Sequence, residues 1–218
     1  LRGLHLMRII SPGYANTNVA ALYAAASGGL LDGSESDGTN LLSGGQLNFT
    51  SDWGSLNGTL TANNVTSPAG TTTAATFLEY ATNDRHGTEI YLLFLLSTST
   101  QYKFSVYAKQ VTTRYLQLAA FGTTASSGPY AFFDLQTGTV SSSGTNNPDG
   151  ATNLSSVTCE AAVNGYYKCT VIGTVDSVSN AVYLKLYGSS SGSGTVNFPT
   201  YTGNTSNGFN FWRPKITT

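Results

Sequence analysis

Acidic residues and histidine are the side chains of this sequence that could carry catalysis. Asp84, His86 and Glu89 lie close together, a spacing that could bring an acid and a base into one loop. The short polar stretch at residues 83–87, which holds Asp84 and His86 and is followed by Glu89, is more typical of a turn with solvated charges. We therefore interpret these three residues as part of a turn.

Hydrolysis of a glycosidic bond would need two carboxyl groups that face each other across the sugar. Glu79, Glu89, Asp134 and Glu160 lie in different predicted strands, so the sequence leaves their pairing open. Glu79 and Glu89 flank a polar loop that we expect to be exposed. Asp134 precedes a Leu-Gln-Thr-Gly turn, where its carboxylate is expected to accept hydrogen bonds from backbone amides.

Signature motifs of catalysis are missing from the sequence. It has no nucleophile elbow, zinc-protease motif, phosphate-binding loop or dinucleotide fingerprint. We therefore expect a non-enzymatic protein that needs no cofactor and no metal. A structural calcium ion is common in jelly-roll sandwiches, but no position for one can be located.

Tyrosine and lysine alternate with aliphatic residues in two predicted strands. In residues 103–109, Phe104, Val106 and Ala108 share one face, and in residues 181–187 Val182, Leu184 and Leu186 do the same. These aliphatic faces are expected to form the core. The opposite faces carry Tyr and Lys, which is unusually aromatic for a surface that only meets water.

A sugar presents flat C–H faces ringed by hydroxyls, so sugar-binding surfaces combine aromatic rings with hydrogen-bonding side chains. If their strands are neighbours, seven residues could form such a surface: Tyr107, Lys109, Tyr115, Gln117, Tyr183, Lys185 and Tyr187. The same residues could instead be covered by another subunit. From the sequence, a glycan site and a subunit interface both remain open.

Composition and periodicity predict an all-β protein, an antiparallel β-sandwich or jelly roll preceded by an extended N-terminal arm. Of the 218 residues only 10% are charged and the net charge is -1, which gives no footprint for nucleic acid. The apolar stretch of residues 90–96 is too short to insert into a membrane and is interpreted as buried core. Strands are predicted at residues 46–49, 56–63, 74–79, 89–96, 101–110, 115–121, 130–134, 155–162, 166–175, 181–187 and 208–214.

Residues 1–39 differ from the rest of the chain. They end in an acidic, Gly- and Ser-rich stretch at residues 32–38, which is typical of an arm followed by a linker. This segment is either an attachment arm or a loosely packed terminus. Residues 40–218 are predicted to form the sandwich.

Two cysteines flank a predicted hairpin turn. A three-residue loop at residues 163–165, with Gly165 in the left-handed conformation, would place Cys159 opposite Cys169. A two-residue Asn164-Gly165 turn would shift the register by one residue and separate them. A disulfide and two half-buried free thiols both remain open, whereas two cysteines at this spacing are not a zinc motif.

Several phrases of the sequence, taken in order, resemble one family. They are Asn40-Leu41-Leu42 with Trp53, KFSVYAK at residues 103–109, FFDLQTGTV at 132–140, NGYYKCTV at 164–171 and YTGNTSNGFNFWRPKI at 201–216. Together they are similar to the carbohydrate-binding-module-like, concanavalin-type sandwich domains of tailed-phage fibres, spikes and head-decoration proteins. Tyr166 replaces a usual Trp of that family, and Arg213-Pro214-Lys215 replaces its usual Gly-Ala-Gln.

The resemblance implies a non-enzymatic structural protein on the surface of a phage virion. Residues 1–39 would attach it to capsid or tail proteins, as a head decoration or a tail fibre, and the sandwich would project outward to bind cell-surface glycans for host adhesion. Self-association, as a trimer, would cover part of the tyrosine face. The first rival interpretation is a secreted carbohydrate-binding module of a polysaccharide-degrading enzyme. The second is a small glycan lyase or hydrolase on the same fold.

Overall fold

Two antiparallel six-stranded sheets face each other in the computed structural model, which describes residues 38–92, 96, 100–122, 128–146, 153–175, 182–194 and 199–218. The predicted N-terminal arm, residues 1–39, lies outside the described residues except for its last two. Along sheet I the strands are β1 (Trp53–Leu56), β5 (Gly87–Leu92), β12 (Val182–Ser189), β7 (Tyr115–Gly122), β8 (Gly128–Asp134) and β9 (Thr139–Asn146).

Sheet II completes the sandwich. In spatial order its strands are β10 (Leu154–Ala161), β11 (Tyr167–Gly173), β6 (Tyr102–Gln110), β14 (Gly208–Thr217), β3 (Ala74–Glu79) and β2 (Gly58–Val65). A small third sheet pairs β13 (Tyr201–Thr202) with β4 (Asn83–Asp84). Short 3-10 turns occur at Gly44–Leu47 and Val163–Gly165. Within the described ranges there is no α-helix, so the predicted all-β antiparallel sandwich is confirmed.

The core lies between the sheets and follows the predicted alternation. Phe104, Val106 and Ala108 of β6 face Val182, Leu184 and Leu186 of β12 across one continuous apolar cluster. Burial of these side chains removes their apolar surface from water, the main force that holds two sheets together. The intervening residues of both strands therefore point to the outer faces of the sandwich.

Local backbone geometry corrects two strand predictions, and a third strand was not predicted. Residues 46–49 form the 3-10 turn and its exit, because Phe49 has a positive φ of 63°. The strand predicted at residues 56–63 is divided between β1 and β2 at Asn57, whose φ of 49° is left-handed. Strand β9 was missed because its sequence, TVSSSGTN, has one aliphatic residue and little alternation.

The start of the sandwich is tied to its last strand. Asn40 donates from its side-chain amide to the Pro214 carbonyl over 3.2 Å and accepts from the Ile216 amide over 2.9 Å. The Leu41 amide donates to the Ile216 carbonyl over 2.8 Å. The first and last phrases of the sequence are therefore neighbours in space, although 176 residues separate Asn40 from Ile216.

Candidate functional site: the outer face of sheet I

Five of the seven residues predicted to form a binding surface lie on the outer face of sheet I. Strands β12 and β7 are hydrogen-bonded neighbours, with Tyr187 opposite Gln117 and Ser189 opposite Tyr115. Because side chains alternate along a strand, Tyr183 and Lys185 point to the same side as Tyr187. The structure thus brings the two predicted strands together as the hypothesis required.

Tyr107 and Lys109 lie apart from these five, on the outer face of sheet II. Tyr107 is buried there with its ring 5.2 Å from that of Trp212. Lys109 donates from Nζ to the Asn164 carbonyl over 2.8 Å and sits 5.7 Å from the Tyr166 ring. These two residues therefore cannot contribute to one surface with the tyrosines of β12.

A pair of tyrosines, one exposed and one half-buried, lies at one end of the sheet I face. Tyr91 of β5 is directly opposite Tyr183 of β12, and the ring centroids are 4.7 Å apart at an interplanar angle of 44°. The Tyr91 side chain is 45% exposed, whereas its neighbours Ile90 and Leu92 are buried. Lys185 Nζ lies 5.0 Å from the Tyr183 ring centroid, within cation–π distance.

Glu89 links the charged and aromatic groups of this region. Its Oε2 accepts the Tyr187 hydroxyl over 2.5 Å and lies 3.5 Å from Lys185 Nζ. We call Glu89, Tyr91, Tyr183 and Lys185 the tyrosine platform. It combines two partly exposed rings with a carboxylate and an ammonium group, so it can offer stacking, acceptance and donation of hydrogen bonds at one place.

Burial perturbs the ionisation of two groups around Glu89. Desolvation lowers the pKa of the Lys185 ammonium, and the nearby Glu89 carboxylate opposes that shift. Desolvation raises the pKa of the Tyr187 phenol, and its hydrogen bond to Glu89 raises it further. Tyr187 therefore acts as a fixed donor that orients Glu89, and it offers no exposed ring to a ligand.

Gln117 occupies the middle of the same face. It lies on β7 with Tyr187 opposite on one neighbouring strand and Phe132 opposite on the other. All three side chains are buried, so this part of the face is closed to solvent. Tyr115, two residues earlier on β7, is half-buried and stacks with the guanidinium of Arg114 at 5.0 Å.

Asp134 closes the far end of β8 and confirms the turn-capping interpretation. Its carboxylate accepts the Gln136 amide over 2.9 Å and the Thr137 amide over 3.3 Å. Arg114 donates to it from Nε over 3.0 Å and from Nη2 over 2.6 Å. The hydrogen bond from Arg114 is the main reason that the pKa of Asp134 falls to about 2.

The catalytic candidates occupy structural positions, and the interpretation of His86 needs correction. His86 is fully buried, not solvated, and its ring nitrogens face the carbonyl oxygens of Asn57, Thr82 and Tyr201 at 2.9, 3.1 and 3.2 Å. The loop that follows Glu79 is exposed at residues 80–85, as expected, while the Glu79 side chain itself is buried with 1% exposure. Its oxygens accept Thr113 Oγ1 over 2.7 Å, Tyr201 Oη over 2.6 Å and the Asn204 amide over 3.2 Å. The burial of His86 was not predicted because two of its three partners, Asn57 and Tyr201, are remote in the chain.

The cysteines lie in the register that a three-residue hairpin predicts. Cys159 of β10 is directly opposite Cys169 of β11, and Gly165 has a φ of 75°. Both are free thiols, with Cys169 buried and Cys159 half-buried. Burial raises the pKa of Cys169, while a hydrogen bond between the two thiols lowers the pKa of Cys159.

Metal-binding clusters and membrane-spanning helices are both absent from the part of the chain that the structure describes. That part contains no group of three or more His, Cys, Asp or Glu side chains arranged to hold a metal ion. It also contains no helix that is long and apolar enough to cross a membrane.

Sequence reasoning missed Tyr91 as a surface residue. The stretch of residues 90–96 was interpreted as buried core, and Ile90, Leu92 and Leu96 are indeed buried. The period-2 pattern of Gly87, Glu89 and Tyr91 was the available signal, because these residues share the outward face of β5. A strand that is apolar throughout would be buried on both faces. Strand β5 instead has one face in the core and carries Glu89 and Tyr91 on the other face.

No protein-family model and no curated protein matches the chain. Among solved structures, the chain is similar to the CBM22-1–GH10 modules of Clostridium thermocellum endo-1,4-beta-D-xylanase 10B, complexed with xylohexaose. The TM-score is 0.42 at 15% identity, and the match covers 77% of this chain and 26% of that chain. It is also similar to the enzymatically active domain of bacteriophage CBA120 tailspike protein 4, with a TM-score of 0.44 and 11% identity over 81% of this chain and 21% of that chain.

A third similar structure is a proposed sugar binding protein from Bacteroides thetaiotaomicron VPI-5482. Its TM-score is 0.43 at 10% identity, and the match covers 85% of this chain and 96% of that chain. This chain spans about a quarter of the xylanase chain and about a fifth of the tailspike chain. The sugars and activities in these names describe those proteins alone.

Proposed function

We propose that the sandwich binds glycans through the tyrosine platform of sheet I. The observation that carries this proposal is the exposed ring of Tyr91 beside Tyr183, with the Lys185–Glu89 pair next to them. An apolar C–H face of a pyranose ring stacks on such an aromatic surface, while ring hydroxyls accept a hydrogen bond from Lys185 and donate one to Glu89.

The partners of three acidic side chains support a binding role over catalysis. Glu89 is engaged by Lys185 and Tyr187, and Asp134 is engaged by Arg114 and two backbone amides. Glu79 is buried and accepts three hydrogen bonds. Asp134 and Glu79 are thus committed to the fold, and the protein is proposed to be non-enzymatic. Release of reducing ends from any polysaccharide by the purified protein would overturn that part.

The wider setting is proposed to be the surface of a phage virion, outside the host cell. The support is the resemblance of the sequence phrases between Asn40 and Ile216, taken in order, to the sandwich domains of phage fibres, spikes and head-decoration proteins. The first and last of these phrases are hydrogen-bonded to each other. In this setting residues 1–39 anchor the chain to capsid or tail proteins. Immunogold labelling of the parent particle tests it: gold on capsid or tail is expected, and a chain found only in the secreted fraction favours the free carbohydrate-binding module.

The binding test uses a glycan array with the wild-type protein and the double variant Tyr91→Ala/Tyr183→Ala. Tyr80→Ala is the matched control, since Tyr80 is 50% exposed but lies at the end of β3 in the other sheet. We expect wild type and control to bind the same glycan and the double variant to lose at least about tenfold in affinity, which corresponds to about 1.4 kcal/mol. Absence of any bound glycan, or equal binding by the double variant, contradicts the proposal.

A second copy of the chain could cover the tyrosine platform in place of a sugar. This alternative predicts a different sedimentation behaviour for the wild type and the double variant. If a second copy covers Tyr91, the wild type sediments as an oligomer and Tyr91→Ala/Tyr183→Ala sediments as a monomer. If the platform binds sugar, both proteins have the same sedimentation coefficient. Analytical ultracentrifugation of the two proteins at one concentration separates these occupants.

A further inference from the structure

Four lysines follow one another along the outer face of sheet II. The aliphatic side chains of β6 point into the core, so positions 103, 105, 107 and 109 of this strand point outward. Lys103 and Lys109 lie on β6 itself. Lys215 of β14 is opposite position 105, and Lys168 of β11 is opposite position 107. Successive outward rows are about 7 Å apart, so these four residues, which we call the lysine ladder, extend over about 20 Å.

The charge of this face is not balanced within the described part of the chain. Arg213 of β14 adds a fifth cation, whereas Glu160 of β10, opposite Lys168, is the only outward carboxylate of the six described strands. Arg213 and Lys215 belong to the phrase in which the sequence departs from the family it resembles. On the outer face of sheet I, in contrast, two cations each face a carboxylate. The net charge of -1 therefore conceals a basic surface.

The aromatic rings of this face lie beneath its cations. Tyr107 and Trp212 are buried, with their ring centroids 5.2 Å apart. Lys168 Nζ lies 5.9 Å from the Tyr107 centroid, and the guanidinium carbon of Arg213 lies 5.6 Å from the Trp212 centroid. A ligand at the ladder therefore meets positive charge first, and neither ring is exposed for a nucleic-acid base to stack on it.

The ladder borders an exposed edge of the sandwich. Three of its lysines are half-buried and the fourth, Lys215, is buried. A half-buried lysine keeps its stem on the protein and its ammonium group at the surface. Contacts within the protein restrain these side chains, as when Lys109 donates to the Asn164 carbonyl over 2.8 Å. Beyond the ladder, Ser156 and Thr158 of the edge strand β10 are exposed and offer hydroxyl groups.

We propose that the lysine ladder binds an acidic polysaccharide, a linear chain whose sugars carry carboxylate or sulfate groups. A row of ammonium groups is complementary to anionic groups repeated along a chain, and each contact is a charge-assisted hydrogen bond. The hydroxyls of Ser156 and Thr158 bind the sugar hydroxyls beside them. Single-stranded nucleic acid also repeats its charges, but it gains much of its affinity from stacking, which the buried rings do not provide. The tyrosine platform lies on the other sheet, so this second site does not depend on it.

The binding test compares three polymers in about 50 mM NaCl. Polygalacturonate carries carboxylates, dextran sulfate carries sulfates, and dextran is uncharged. We expect the wild type to bind at least one of the two acidic polymers and not dextran. Affinity should fall as salt is raised, because each ionic contact releases counterions. The acidic polymer that binds more tightly identifies the preferred anionic group.

Three single variants locate the bound polymer. Lys103→Gln and Lys168→Gln should each weaken binding at least about threefold and reduce the salt dependence by about one contact. Arg85→Gln is the matched control and should bind as wild type, since it removes one positive charge from an exposed residue outside sheet II. Glu160→Gln should bind more tightly, because it removes the carboxylate opposite Lys168. A gain of this kind cannot result from a loss of stability.

Four results would overturn the inference. They are no binding of either acidic polymer, an equal loss in Arg85→Gln, tighter binding of single-stranded oligothymidylate than of both polysaccharides, and loss of acidic-polymer binding in Tyr91→Ala/Tyr183→Ala. The last result would assign the polymer to sheet I. A wild type that binds an array glycan but neither acidic polymer refutes only this inference. One that binds an acidic polymer through the ladder but no glycan through the tyrosine platform refutes only the proposed function.

Discussion

Tyr201 and Glu79 are joined by a 2.6 Å hydrogen bond from the phenol to the carboxylate across 122 residues of sequence. Glu79 ends β3, and Tyr201 begins the short strand β13, so this bond connects sheet II to the small third sheet. The Thr113 hydroxyl and the Asn204 amide also donate to Glu79, which explains how the carboxylate stays buried. The cluster holds together three segments that are remote in the chain.

Tyr201→Phe should therefore lower the free energy of unfolding by about 1.5–3 kcal/mol, the range for a hydrogen bond to a charged group. Urea denaturation at pH 7 measures the change. Tyr80→Phe is the matched control, because Tyr80 is exposed and accepts only the Thr59 hydroxyl over 3.2 Å; it should change stability by less than about 0.5 kcal/mol. Equal losses in the two variants would show that the Glu79 bond adds nothing.

Alkaline pH should destabilise the domain through its buried tyrosines. Burial raises the pKa of Tyr166 to about 12, and burial with a carboxylate partner raises those of Tyr187 and Tyr201 as well. In the unfolded chain tyrosine ionises near pH 10. Above that pH the unfolded state binds fewer protons than the folded state, so the free energy of unfolding falls as pH rises. Below pH 10 the contribution of these buried tyrosines to the free energy of unfolding is fully present.

Urea denaturation at pH 8 and pH 11 checks this alkaline effect. The wild type should lose more stability over the interval than Tyr187→Phe or Tyr201→Phe, because each variant removes one of the groups whose pKa is raised. A wild type whose stability is the same at both pH values would contradict the prediction.

Local pattern could predict the strands that carry the core, for a physical reason. Burial on one face imposes period-2 alternation, which is visible in β6 and β12 from single residues such as Phe104 and Leu184. Loop length likewise set the register of Cys159 against Cys169. Strand β9 could not be predicted this way, because its pairing depends on backbone hydrogen bonds to β8 and not on its own exposed side chains.

The candidate site was only partly predictable. Tyr183 and Lys185 were found from their alternation, but their neighbour Tyr91 depends on the pairing of β5 with β12. That pairing joins residues about 90 positions apart, and nothing local specifies it. Likewise the burial of Glu79 depends on Tyr201, and the separation of Tyr107 from the site depends on which sheet β6 joins.

Asp134→Asn should destabilise the fold at neutral pH and make little difference in acid. The carboxylate accepts two hydrogen bonds from Arg114 and caps the following turn, so its replacement is expected to cost about 1–3 kcal/mol at pH 7. Because the pKa of Asp134 is depressed to about 2, its contribution is present above pH 4 and is lost as pH falls toward 2.

Denaturation of wild type and Asp134→Asn at pH 7 and pH 2.5 measures both parts of this prediction. Asp52→Asn serves as the control, since Asp52 is exposed and accepts only the Gln46 side-chain amide over 3.2 Å. The prediction fails if Asp134→Asn is as stable as wild type at pH 7, or if the gap between them is as wide at pH 2.5 as at pH 7.

Oxidation should close a disulfide between Cys159 and Cys169. The two residues are directly paired on β10 and β11, both side chains pack at the core, and their thiols are within hydrogen-bonding distance of each other. With glutathione disulfide as oxidant, one thiolate forms a mixed disulfide and releases glutathione, and the second thiolate displaces the other glutathione. Cys159 should attack first, because it is less buried and its pKa is the lower of the two.

Thiol titration in denaturant and the melting temperature report the outcome. Full oxidation should remove both reactive thiols and stabilise the fold by up to about 2–3 kcal/mol, the chain-entropy value for so short a loop. Cys159→Ser should keep one thiol and gain no stability under the same treatment. If both thiols remain titratable after oxidation, the pair functions only as core packing, because strain across the two strands then exceeds the gain from closing the loop.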